Sequence, residues 1–255
     1  MTEHDPTALA RTIAQGLRDA YHGGPKFDIG IEAGGAIDAA TAYAVQRLLD
    51  EDFGPAGAFK VACKPGQPVI MAPIYADRIF DSGAVVPADG DAEIGIELEV
   101  GFRFLAPPPD PSDPAFSDRL REAVSVVAAI EIVQTRLTDT ESASPMLRLA
   151  DNQLNGGLVI GDELRDWQGL DLGTVGARLS FGDEVFLDGQ APVPGGDAFR
   201  NLEALVRLVG NHCGGLRPGH VVITGSLNGL PYIRRGRKVS GRIDGIGAVS
   251  ADFPA

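Results

Sequence analysis

The run IGIELEVGFRF, Ile94–Phe104, alternates with period two over its whole length. On a strand, that period sends successive side chains to opposite faces. Ile94, Ile96, Leu98, Val100, Phe102 and Phe104 then share one face, and Gly95, Glu97, Glu99, Gly101 and Arg103 share the other. The opposite face carries two carboxylates two residues apart. They belong either to a solvated strand face or to a site where acids converge on a cation.

Glu131, in VVAAIEIVQTRL, weighs toward the cation. Its face neighbours on a strand are Ala129 and Val133, which makes exposure to solvent unnatural. An unpaired buried carboxylate costs several kcal/mol, so such a residue is expected to have a cation or hydrogen-bond donors. Three carboxylates form an oxygen-rich set suited to a hard divalent ion such as Mg²⁺ or Mn²⁺. Zinc is disfavoured, because no His or Cys cluster accompanies the acids.

The rest of the chain divides by texture. Residues 1–57 read as a helical region: PTALARTIAQGLRDAYHGG places Leu9, Ile13, Leu17 and Tyr21 at helical spacing, and AIDAATAYAVQRLLDEDFG predicts a second helix with Ala44, Val45, Leu48 and Leu49 on its apolar face. Residues 58–255 read as a β-rich body of short strands bounded by Gly, Pro and Asp, such as AFKVACKPG, AVVPADG and AIEIVQTRL. LAPPPDPSDPAFSD is a proline-rich connection, and FSDRLREAVSVVAA a helix running into a strand. PMLRLADNQLNGGLVIGDEL mixes loop and strand. GGDAFRNLEALVRLVGNHCGG predicts a glycine-capped helix, and RKVSGRIDGIGAVSADF alternates like strands. The fold class is α+β, and 33 glycines and 18 prolines suit many turns.

Charge and motifs narrow the function. With 22 basic and 35 acidic residues (22 − 35 = −13) and no basic block, nucleic acid and anionic membranes are not expected partners. The stretch MTEHDPTALA is acidic and carries no apolar signal core, and no apolar run is long enough to span a bilayer. Cys63 and Cys213 form no CxxC and read as buried free thiols, so a cytoplasmic setting is expected. There is no GxxxxGK[ST], strand–helix GxGxxG or GxSxG motif. His4, His22, His212 and His220 are scattered, and His22 is the one retained as an acid–base candidate. Lys60, in GAFKVACKPG, sits on a partly buried strand, where a lysine beside a metal can neutralise a substrate carboxylate or donate a proton. Lys64 competes with it. HVVITGSLNGLPYI offers Thr224, Gly225 and Ser226 to an anionic ligand, and ADNQLNGGLVIG puts Asp151 and Asn152 before a glycine pair.

In this order the pieces resemble the fumarylacetoacetate hydrolase superfamily, and within it the hydratase/decarboxylase branch of the 2-keto-4-pentenoate hydratase type. The likeness runs from DAATAYAVQRLL to the C-terminus. It rests on the E-x-E of Glu97 and Glu99 followed by Glu131, the Asp-Asn…Gly-Gly segment, the Thr-Gly-Ser strand end, and Lys60. The branch usually reads Lys-Ile-Gly-Leu-Thr-Ser where this chain reads KVACKPG, and Gln134 stands where an acid often follows the third metal ligand. The resemblance implies a β-rich roll or barrel with an N-terminal helical region and a Mg²⁺ or Mn²⁺ ion on Glu97, Glu99 and Glu131. It implies a small 2-oxo acid or dienol substrate, hydratase activity with a 4-oxalocrotonate-type decarboxylase as the alternative, and a homo-oligomer. Lys60 would orient the carboxylate or relay a proton, Asp81 would act as general acid or base, and Thr224, Ser226 and Asp151 would hold the substrate. A carbon–carbon hydrolase is less expected, since His22 lacks a partner glutamate at the right spacing. A non-catalytic member of the family is the reading from another class.

Overall fold

The structure, a computed structural model, describes residues 6–30, 37–87 and 93–255. His4 and the last three residues of AVVPADG lie outside the described residues. Two helices come first, α1 (Pro6–Tyr21) and α2 (Ala39–Phe53). Thirteen described strands follow, with three further helices: α3 (Phe116–Ala123), α4 (Pro145–Ala150) and α5 (Ala198–Val209).

The strands form two sheets. The larger has the order β2 (Ile70–Tyr75), β1 (Ala56–Ala62), β10 (Val221–Ser226), β5 (Ile94–Phe104), β6 (Val124–Val133), β7 (Asn155–Leu164) and β3 (Ile79–Asp81), with β11 (Tyr232–Ile233) added to β5. Its edge strands β2 and β3 are joined by the three-residue turn Ala76–Arg78, so the sheet curls until its edges approach each other. The smaller sheet has the order β4 (Ala84–Val85), β13 (Gly247–Phe253), β12 (Arg237–Ile243), β8 (Thr174–Phe181) and β9 (Glu184–Pro192).

The face partition expected for Ile94–Phe104 holds. Its six apolar side chains enter the main core with the alternate residues of β6, the inner residues of the second sheet, and Phe199, Leu202 and Leu205 of α5. The other face of the curled sheet is also buried. Ala58, Val127, Ala129, Leu158, Ile160, Val221 and Ile223 line its concave interior. The charged face of β5 therefore points into the roll and not into water. Every residue of β6 is buried.

α1 buries Ala10, Ile13, Ala14 and Leu17 against α2, α4 and Tyr75. On α2 the buried stripe is Ala42, Val45, Gln46 and Leu49, with Ala44 and Leu48 only half-buried. The helix is turned because the Gln46 amide has partners inside: it donates to the Leu149 carbonyl (2.7 Å), and its oxygen lies 2.8 Å from His212 Nε2. α4 occupies part of the segment expected as loop and strand. Pro145 at its first turn and the Ser144 hydroxyl, which accepts from Leu147 N–H, start it. Among the described residues no helix is long and apolar enough to cross a membrane.

Candidate metal centre

β5 and β6 pair so that Glu97 stands directly opposite Glu131, while Glu99 faces Ala129 on one side and Ser226 of β10 on the other. Like charges opposite each other on a sheet destabilise it, and here a third acid adjoins them. Oxygens of Glu97, Glu99 and Glu131 lie within 4.8 Å of one another. Glu99 is 2% exposed and Glu131 fully buried.

Lys60 reaches this group from β1. Its Nζ lies 2.5 Å from Glu131 Oε1 and 3.2 Å from the Gln153 carbonyl. Lys64 is exposed beyond the strand end. Asn155 Nδ2 also donates to Glu131 Oε1 (2.8 Å), and Gly225 N–H donates to Glu99 Oε2 (2.6 Å). Gly225 is placed by a register shift in β10 between Ile223 and Ser226, which turns its N–H out of the ladder and toward Glu99. Its φ of +119° and the contact a Cβ would make with Pro194 leave room for glycine alone.

These donors do not complete the site. Glu131 Oε2 is buried with no hydrogen-bond partner. Ionised, the three acids and one lysine sum to 1 − 3 = −2, the complement of a divalent cation. Burial, reinforced by Glu131, pushes the Glu97 pKa up to about 7, and burial with both neighbouring acids raises Glu99 well above the carboxylate range. Burial pulls the lysine the other way, but the three carboxylates outweigh it and hold Lys60 protonated. Surplus buried charge, an orphaned oxygen and all-oxygen donors fit a hard divalent ion. This is the one such group among the described residues.

The remaining expected residues divide. Ser226 lies beside Glu97 and opposes its pKa rise, while its hydroxyl donates to the Gly229 carbonyl (2.6 Å). Thr224 is buried and its hydroxyl donates to the Val100 carbonyl (2.8 Å), so it holds the bulge of β10 instead of facing a ligand. The Asp151 carboxylate is also engaged elsewhere. It pairs with Arg136 Nε (2.5 Å) and accepts from Thr135 and the Arg136 N–H. Asp81 is exposed on β3, at the far end of the row Glu99, Ala129, Ile160, Asp81, with two strands between it and β5. His22 is exposed and stacks near Phe53.

The sequence reading missed Asn155, the Gln153 carbonyl and Arg136. The Gln153 carbonyl lies within, and Asn155 directly after, a run of three consecutive non-glycine residues in the left-handed region, Asn152, Gln153 and Leu154 (φ 48°, 51° and 64°). Such a conformation costs roughly 1–2 kcal/mol per residue. The Asp-Asn before a glycine pair was the visible signal, since Asn tolerates this region better than most residues.

A cavity of about 390 Å³ lies further along the strands, lined by none of the three acids. Val133 and Tyr232 line it, one strand step beyond Glu131 and Glu97, roughly 7 Å on. Tyr21 and Lys26 from the end of α1 and beyond, with Arg78, form much of its other wall. The cationic side chains stand out in a chain of net charge −13.

No protein-family model matches the chain. Among curated proteins it is 27% identical to a 2-keto-4-pentenoate hydratase of Paraburkholderia xenovorans over 71% of this chain, a match spanning 66% of that protein, just under two thirds of its length. It is also 27% identical to the 2-keto-4-pentenoate hydratase of Burkholderia vietnamiensis over 96% of this chain and 92% of that one. Its backbone matches 4-oxalocrotonate decarboxylase from Pseudomonas putida G7, complexed with magnesium and adipate, with a TM-score of 0.80 at 19% identity over 99% and 98% of the two chains. The sequence is thus similar to that of 2-keto-4-pentenoate hydratases, and the fold is that of 4-oxalocrotonate decarboxylase. A more distant match, fumarylpyruvate hydrolase from Pseudomonas aeruginosa in complex with Mn²⁺ and pyruvate, covers 77% of this chain and 88% of that one, with a TM-score of 0.55 at 15% identity.

Proposed function

We propose that this protein is a divalent-metal-dependent lyase that adds water to a 2-hydroxy-2,4-dienoate of the 2-keto-4-pentenoate type, in the catabolism of aromatic compounds. The observation that carries this reading is the convergence of Glu97, Glu99 and Glu131 inside the roll, with an orphaned Glu131 oxygen and a lysine beside them. Those three carboxylates would hold Mg²⁺ or Mn²⁺. When bound, the ion supplies a Lewis acid for the C2 oxygen of a 2-oxo acid.

The chain's own groups do the rest. Lys60, paired with Glu131 at the edge of the ion site, orients the substrate carboxylate or relays a proton. Gly225 N–H fixes Glu99, and the Ser226 hydroxyl borders Glu97 at the edge of the site. The cavity receives the tail of the substrate and shields it from water. Tyr21 lines that cavity and keeps its proton, because burial raises its pKa. We assign it the proton donation for which Asp81 stands too far out. Two unpaired cysteines support a reducing, cytoplasmic setting, and the family likeness supports a homo-oligomer.

A second reading is decarboxylation of a 2-oxo diacid. Lys26 and Arg78 on the cavity wall favour it, since they suit a second carboxylate, and the full-length structural likeness points the same way. The test is to incubate the protein and Mg²⁺ with 2-hydroxypenta-2,4-dienoate, and separately with 2-oxohex-3-enedioate. Loss of dienol absorbance in the first, abolished by EDTA, is the expected result. CO₂ release in the second alone would favour the decarboxylase. Metal-dependent consumption of neither would remove the proposal.

A further inference from the structure

We propose that Arg136 is a positioning residue that sets both Lys60 and Glu131 by bracing the left-handed turn Asn152–Leu154. The inference rests on the metal-binding reading above and goes beyond it. Arg136 follows β6, the strand that carries Glu131, and its guanidinium grips both ends of the turn. Nε bonds the Asp151 carboxylate (2.5 Å), Nη2 the Asp151 carbonyl (2.8 Å), and Nη1 the carbonyls of Asn155 (2.6 Å) and Gln134 (2.7 Å).

Between those anchors lie the three left-handed residues. A run of that kind persists only where its surroundings over-determine it, and an observed outlier of this sort points to function. Its products are two contacts at the metal centre. The Gln153 carbonyl accepts from Lys60 Nζ, and the Asn155 amide donates to Glu131 Oε1. If the turn relaxed to an ordinary backbone conformation, both would move. Glu131 would then lose the donor that orients Oε1, the oxygen beside the unpartnered Oε2. Arg136 borders the cavity, but it is 7% exposed and its hydrogen bonds are directed at the protein, so it acts through the turn and not on substrate.

The experiment measures Mn²⁺ affinity by calorimetry, with melting temperature and kinetic constants, for a set of variants. Combining Arg136→Met with Asp151→Asn removes both charges of the buried pair, which spares the fold the uncompensated ion that a single change leaves. Its melting temperature is expected to stay near wild type while Mn²⁺ affinity falls about 10- to 100-fold, the usual effect of losing a residue that orients a metal ligand. The drop should fall on kcat more than on KM. Arg136→Lys, which keeps the charge but cannot grip both ends, should also lose affinity. Adding Asn155→Ala to either should cost less than it does alone, because Arg136 works through Asn155. Affinity within twofold of wild type in a folded Arg136 variant overturns the proposal, and so does full additivity with Asn155→Ala. Wild type that binds no Mn²⁺, or binds it equally after Glu97→Ala, overturns the metal reading and this inference together. A wild type that passes that control isolates the role of Arg136.

Discussion

Arg136 with Asp151, and Lys60 with Glu131, are both buried ion pairs at 2.5 Å, yet their surroundings are opposite. Asp151 has donors on both oxygens, and Arg136 spends four hydrogen bonds on protein acceptors. The pair is closed: one charge each way and nothing outstanding. Around Lys60 two further acids crowd in, one oxygen has no partner, and the summed charge is −2 when all are ionised. A closed pair is architecture. An open one is a binding site kept at a cost in stability, because surplus buried charge destabilises a fold until a counter-ion arrives.

The sharpest break of this comparison is Glu97→Ala. Losing a metal ligand removes several kcal/mol of transition-state stabilisation, so kcat/KM should fall at least about a thousandfold while circular dichroism stays unchanged. A variant with full activity in chelator would refute the open site. Asp151→Ala opens the closed pair and strands Arg136. Chemical denaturation should show a loss of about 3–5 kcal/mol, and a loss below 1 kcal/mol would mean the pair is not structural. Tyr21→Phe probes the cavity between the two. It should lower kcat about a hundredfold with Mn²⁺ affinity unchanged, and an unaltered kcat would exclude Tyr21 as donor.

Acidity sharpens the contrast further. The Glu97 pKa lies at about 7 in the metal-free protein against 4.5 unperturbed. The folded state therefore binds more protons than the unfolded state between these values, so stability falls as pH rises. The contribution is complete below the unfolded pKa and lost as pH passes through about 7. Metal-free protein should melt several degrees lower at pH 8 than at pH 5, and excess Mg²⁺ should reverse that slope. A melting temperature that is flat or rises with pH without metal would contradict the burial of uncompensated charge. The smallest effect is expected for Glu99→Gln without metal. At high pH, where ionisation is forced on the acids, removing one of them should raise the melting temperature by a few degrees, about 1 kcal/mol, even as metal affinity drops. Destabilisation instead would show that the Gly225 bond to the Glu99 carboxylate outweighs the repulsion.

Legibility in the sequence followed how local each cause was. Periodicity identified α1, α2, α5, β5 and β6, because alternation and the 3.6-residue repeat are written into consecutive residues. It set the α2 face off by a position, because Gln46 finds its partners on α4 and near His212, far along the chain. It passed over α4, six residues held by a serine cap, and it did not anticipate β8 and β9. Three acids of the right type on strand faces were visible, and so was Lys60. Thr224 and Asp151 are engaged with protein partners, and Asp81 is exposed with two strands between it and β5, placements that no local pattern announces.

The sequence by itself determined which side chains share a face, since that depends only on the period of a strand or helix. It also determined that three carboxylates would need compensation wherever they were buried. Only the tertiary structure decided which face is inside. The curl of the large sheet, brought about by β2 and β3 meeting through Ala76–Arg78, turned what could have been a wet charged face into an enclosed one. It also decided which donors reach the acids: a lysine, a bulged glycine N–H and a braced left-handed turn, brought together from distant parts of the chain by packing that no local pattern encodes.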